Sequence, residues 1–170
     1  GNVAATSGTL VAQGSGASVA ASVLQTGPGL ATIRVLDGAS VVTAGNAELG
    51  GNNAASNKGV TNIVVSGNGS TLNIGTGYYQ HDGSLQASGG AKVEANVMQL
   101  GLSVGDVFTG VVTGAGTVVG TRSGILTLGG YGTANVTVGD GAIIKSNNGG
   151  SMLVLASQPG STATLNIGAA

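Results

Sequence analysis

The stretch Leu126-Thr127-Leu128-Gly129-Gly130-Tyr131-Gly132-Thr133-Ala134-Asn135-Val136-Thr137-Val138-Gly139-Asp140-Gly141-Ala142-Ile143-Ile144 reads as strand, glycine corner, strand, acidic corner. Apolar and polar residues alternate in Leu126/Leu128 and again in Ala134/Val136/Val138. Period-two alternation puts the aliphatic set on one face of a strand and the Thr/Asn set on the other. Gly129-Gly130 and Asp140-Gly141 mark the corners, because Gly accepts positive φ and Asp can hydrogen-bond its own turn.

Relatives of this unit recur along the chain. A corner followed by a strand appears in Ser66-Gly67-Asn68-Gly69-Ser70-Thr71-Leu72-Asn73-Ile74-Gly75, in Thr113-Gly114-Ala115-Gly116-Thr117-Val118-Val119 and in Pro159-Gly160-Ser161-Thr162-Ala163-Thr164-Leu165-Asn166-Ile167. A strand followed by a corner appears in Thr32-Ile33-Arg34-Val35-Leu36-Asp37-Gly38-Ala39 and in Ser84-Leu85-Gln86-Ala87-Ser88-Gly89-Gly90-Ala91. Ala39, Ala91 and Ala142 lie 52 and 51 residues apart. Each such period splits into two halves of about 20–25 residues, the length of one solenoid coil. The expected fold is therefore all-β: a parallel β-helix of about seven coils in one segment, residues 1–170. Its repeats run roughly 11–60, 61–108, 109–155 and, in part, 156–170. A chain that starts and stops in mid-pattern reads as a fragment of a longer rod. Its uncapped ends should then pair end to end at high concentration.

Composition agrees with a thin solenoid. Aromatic residues are 2% of the 170, so the interior must be aliphatic. Ile33, Val35, Ile63, Val65, Leu72, Ile74, Leu85, Val93, Leu126, Leu128, Val136, Val138, Leu153, Leu155, Leu165 and Ile167 should point inward. Thr71, Asn73, Thr127, Asn135, Thr137, Thr164 and Asn166 should point outward. Charged residues are only 6%, and the five Lys/Arg are scattered singly. Such a chain has no basic patch for nucleic acid. Cysteine is absent, which excludes disulfides and thiolate metal sites. No run of 18 apolar residues suggests membrane insertion by this segment.

The repeats Ser66–Gly75 and their Asp-Gly-Ala partners resemble the passenger repeats of bacterial autotransporters (type V secretion), over roughly residues 28–168. The resemblance implies a right-handed parallel β-helix and export to the Gram-negative cell surface. It also implies a non-catalytic, structural or adhesive role, as an adhesin or in cell–cell aggregation and in virulence. Expected partners are a host-cell or matrix protein, a glycan, or a second copy. No cofactor is expected.

Three stretches look like insertions that leave the stack at corners: Gly50–Gly59, Ser146–Gly150 and Thr76–Gly83. In solenoids such insertions tend to gather on one face. The last holds the one aromatic and polar cluster, Tyr78, Tyr79, Gln80, His81 and Asp82, which makes it the candidate partner contact. Covering an exposed corner is its plainer role. Two alternatives belong to other classes. A polysaccharide-degrading β-helix enzyme needs paired carboxylates. Asp37 and Asp140 sit at equivalent corners two repeats apart, so they read as turn residues, as do Gly38, Gly67, Gly69, Gly114, Gly116 and Gly141. An ice-binding solenoid needs Thr-x-Thr in one register on successive coils, whereas the outward residues here mix Thr with Asn.

Overall fold

The computed structural model describes residues 7–51, 58–147 and 152–168. Within them the chain winds as a parallel β-helix of three sheets. The first sheet has seven strands: β1 (Ser7–Gln13), β4 (Leu30–Leu36), β7 (Val60–Ser66), β10 (Asp82–Ser88), β13 (Val107–Thr113), β16 (Thr133–Gly139) and β19 (Thr162–Ile167). The second stacks β2 (Ser18–Ala21), β5 (Ser40–Thr43), β8 (Thr71–Ile74), β11 (Lys92–Ala95), β14 (Val118–Thr121) and β17 (Ile143–Ser146). The third stacks β3 (Leu24–Gln25), β6 (Ala47–Leu49), β9 (Gly77–Gln80), β12 (Val97–Leu100), β15 (Leu126–Leu128) and β18 (Leu153–Leu155). One strand from each sheet makes a coil, so there are six complete coils and the opening strand of a seventh. Every strand pairs in parallel with its counterparts in the next coils.

The two-coil period has a local cause at the corner between the first and second sheets. Coils one, three and five turn in four residues: Gly14–Ala17, Gly67–Ser70 and Gly114–Thr117. Coils two, four and six turn in three: Asp37–Ala39, Gly89–Ala91 and Asp140–Ala142. Both kinds use left-handed backbone, with φ of 57° at Asp37, 53° at Asp140, 97° at Gly67 and 89° at Gly114. Gly38, Gly69, Gly116 and Gly141 also have positive φ. The two kinds interlock. Ser70 donates its hydroxyl to the Ser66 carbonyl at 2.6 Å and accepts the Gly38 N–H at 3.0 Å. Thr117 does the same with the Thr113 carbonyl at 2.8 Å and the Gly90 N–H at 2.9 Å. Each buried hydroxyl thus closes its own corner and satisfies the tighter corner of the coil before it.

The interior is mainly aliphatic. Ile33, Ile63, Leu85 and Val136 share one inward column of the first sheet, with Gly110 between the last two. Gly110 is where the only phenylalanine finds room. A Cβ there would lie 3.2 Å from the Phe108 ring and 3.1 Å from Val136. Leu153, Leu155 and Ile167 lie in register with buried residues yet are exposed, because they belong to the last coils and nothing described covers them. Thr127, expected to face solvent, is buried.

Other expectations are revised. Pro159–Ile167 is not equivalent to Ser66–Ile74: Thr162–Ile167 is a first-sheet strand, whereas Thr71–Ile74 belongs to the second. The similarity of Leu72-Asn73-Ile74 and Leu165-Asn166-Ile167 reflects a shared strand pattern at different places in the coil. Thr76–Gly83 is no insertion, since Gly77–Gln80 is β9 and pairs with both neighbouring coils. The other two insertions leave from different corners, one between β6 and β7 and one between β17 and β18. Residues 52–57 of the first and 148–150 of the second lie outside the described residues, as do 1–6 and 169–170 of the termini.

Candidate functional site

The cluster Tyr78 to Asp82 divides between interior and corner. In β9 the alternation points Tyr78 and Gln80 inward, and both are fully buried. Tyr78 donates its hydroxyl to Gln80 Oε1. Gln80 Nε2 donates to the Thr61 carbonyl at 2.8 Å. Thr61 Oγ1 meets Thr26 Oγ1 at 2.6 Å, and Thr26 accepts the Gly50 N–H at 2.8 Å. These contacts satisfy a phenol and an amide that are fully buried. Burial pushes the Tyr78 phenol well above its ordinary pKa. A side chain so enclosed is not available to a partner, which corrects the assignment of Tyr78 and Gln80 as contact residues. Tyr79 points outward and is half-buried. Its ring lies back over Gly77, where a Cβ would come within 2.3 Å of the ring.

His81 is the single corner residue between β9 and β10, and it too is buried. Its Nδ1 lies 2.9 Å from Asp106 Oδ2. Asp106, between β12 and β13, also receives the Lys58 ammonium at 3.0 Å and the Ser103 N–H at 2.6 Å. Lys58 donates as well to the Val104 carbonyl at 2.8 Å. Three successive corners of one edge, in coils two, three and four, therefore converge on one buried carboxylate. Burial by itself would raise the Asp106 pKa. The hydrogen bonds from His81, Lys58 and the Ser103 N–H outweigh it and hold the carboxyl below the usual carboxylate range. Asp82 accepts the Val107 N–H and fastens β10 to β13.

The Ser-His-Asp composition of this cluster invites comparison with a nucleophilic triad. The geometry differs. A carboxylate only accepts, so Nδ1 of His81 carries the hydrogen. Ser103 Oγ lies 3.2 Å from that same nitrogen. A triad needs the serine on the opposite ring nitrogen, which acts as base. This arrangement instead ties three corners together. Sequence reasoning did not find it, since His81 and Asp106 are 25 residues apart and Lys58 and Asp106 48. The local signal was Ser103-Val104-Gly105-Asp106, whose ends bond each other reciprocally as a turn.

Other charged side chains bridge coils along the rod. Arg122 reaches Asn96 Oδ1 at 3.3 Å, Asn73 Oδ1 and the Ile74 carbonyl, spanning three coils. Lys145 pairs with Glu94 at 2.9 Å across the intervening Gly120. Asp37 accepts from Gln13 at 2.8 Å in coil two, while Asp140 turns coil six, so the fold keeps the two apart. Among the described residues no group of three or more His, Cys, Asp or Glu could hold a metal ion.

What remains is surface. The outward face of the first sheet carries a column of Thr9, Thr32, Asn62, Ser84, Thr109, Asn135 and Thr164, one per coil in register. Val11, Leu30, Val60, Val107 and Val111 flank it and are exposed. The outward pairs Thr9/Val11, Thr32/Arg34, Asn62/Val64 and Ser84/Gln86 do not form the Thr-x-Thr array of an ice-binding face. No protein-family model, curated protein or solved structure matches this chain.

Proposed function

We propose that the chain is a non-catalytic structural and adhesive segment of an autotransporter-type passenger, exposed on a Gram-negative cell surface and mediating adhesion or cell–cell aggregation. The observation that supports this reading best is the seven-rung Thr/Asn/Ser column on the face of the first sheet. A column of short polar side chains at the strand spacing of about 4.8 Å offers many weak, repeated contacts. Rods of this kind present length and lateral area. The Lys58–Asp106–His81 cluster, closed over a buried carboxylate, serves the rod as a brace.

The test uses beads coated with the protein. Coated beads should aggregate, or bind host matrix proteins or glycans, above a heat-denatured control. A triple variant, Thr32→Asp, Thr109→Asp and Asn135→Asp, should lose most of that binding while keeping its circular dichroism spectrum. Equal binding by both proteins would remove the face from the account. Cleavage of polyuronates or peptidoglycan strands, lost on mutating Asp37 or Asp140, would replace adhesion by catalysis.

A further inference from the structure

The first-sheet face is complementary to itself. Its central Thr/Asn/Ser column is flanked by two others. Leu30, Val60, Asp82, Val107 and Thr133 stand on one side, and Arg34, Val64, Gln86, Val111 and Thr137 on the other. The two flanking residues of a strand lie two positions before and two after the central one, so they are symmetric about it. We propose that this face binds a second copy of the same chain, rods parallel and coil facing like coil. The proposal rests on the adhesive reading above and names the partner of that face.

A two-fold axis along the rod makes each central residue meet itself and exchanges the flanking columns. In coil three Val60 then packs on the second copy's Val64, and in coil five Val107 packs on Val111. Val60, Val107 and Val111 are 41%, 54% and 38% exposed in the single chain, a cost that such packing removes. In coil four Asp82 meets Gln86, and in coil six Thr133 meets Thr137, so polar meets polar. Two pairs are mixed: Leu30 opposite Arg34 in coil two, where an arginine stem can cover a leucine, and Ser7 opposite Val11 in coil one. The antiparallel alternative that also matches the valines sets coil three on coil five. That arrangement places coil four on itself and buries Asp82 against Asp82, a like-charge contact with no counter-ion.

The size of the face places it among interfaces. Seven-residue strands of about 23 Å and six strand spacings of about 29 Å give roughly 650 Å² per copy. That is a little under the roughly 800 Å² per partner of a standard interface, which suits a micromolar, reversible dimer rather than an obligate one.

The chain has no cysteine, which makes thiol cross-linking clean. Thr32→Cys and Asn135→Cys, each alone and mixed, are treated with a short bis-maleimide, while sedimentation follows the unmodified protein. The wild type should dimerise at high micromolar concentration. Each single variant should cross-link to itself, and the mixture should add no preference for the unlike pair. Val60→Arg with Val107→Arg, folded by circular dichroism, should weaken the dimer at least about tenfold. Preferential linking of Thr32→Cys to Asn135→Cys overturns the coil-on-coil arrangement. A monomer at all concentrations, with no cross-link, overturns the second copy as partner. If coated beads still bound matrix proteins or glycans in that case, the adhesive function would stand without it.

Discussion

At the scale of single residues, the alternation of side chains was legible and the polar interior was not. Val136 and Thr137 are neighbours on β16 with opposite fates, one buried and one exposed. Val136→Asp forces a charge into an aliphatic column and should cost several kcal/mol, about 3 or more. Thr137→Asp should change stability by less than about 0.5 kcal/mol. Thermal melts of the two variants check the register, because equal losses would mean it is off by one. Tyr78-Tyr79-Gln80-His81-Asp82 looked like a loop because aromatic, amide and imidazole side chains suggest surface. Period two was present there all along, with Tyr78 and Gln80 inward and each satisfying the other. Asp106 carries the clearest pH dependence. Its folded pKa is depressed, so its contribution to stability is present above the unfolded carboxylate value, about 3.9. That contribution is lost as pH falls through the lower folded value. The melting temperature should therefore drop on acidification below about pH 4. Asp106→Asn should be less stable at neutral pH by about 3 kcal/mol, since Lys58 and His81 lose their carboxylate, and should show a flatter acid limb. An acid limb unchanged by the substitution would remove Asp106 from that role.

At the scale of elements, the corners decide how coils stack. The sequence showed glycine-rich and acidic corners as two motifs with a period near 50. It did not show that they occupy the same place in successive coils, because Gly-x-Gly-Ser and Asp-Gly-Ala differ by one residue in length. The difference becomes intelligible only when Ser70 is seen reaching back to Gly38, and Thr117 to Gly90. Ser70→Ala should leave the Gly38 N–H without that partner in a buried setting, costing about 1–2 kcal/mol. Ser70→Thr should be close to neutral, since Thr117 fills the equivalent place. Urea melts would separate the two, and equal loss for both would mean that packing, rather than the hydroxyl, matters there.

At the scale of the whole molecule, a solenoid is a one-dimensional stack whose long-range geometry follows from one step repeated. Its coils vary in length: Ser7 lies on Leu30, Leu30 on Val60 and Val60 on Asp82, which are steps of 23, 30 and 22 residues. Sequence separation therefore does not report distance along the rod, whereas strand count does. Ser18, Ser40, Thr71, Lys92, Val118 and Ile143 form one column of the second sheet, away from the proposed docking face. The most direct measurement is the electron–electron dipolar distance between spin labels at Ser40 and Ile143, and then at Ser18 and Ile143. Four strand steps predict a separation near 19 Å for the first pair, and five steps predict near 24 Å for the second. Distances that instead failed to grow by about one strand spacing between the two pairs would contradict the stacked coil.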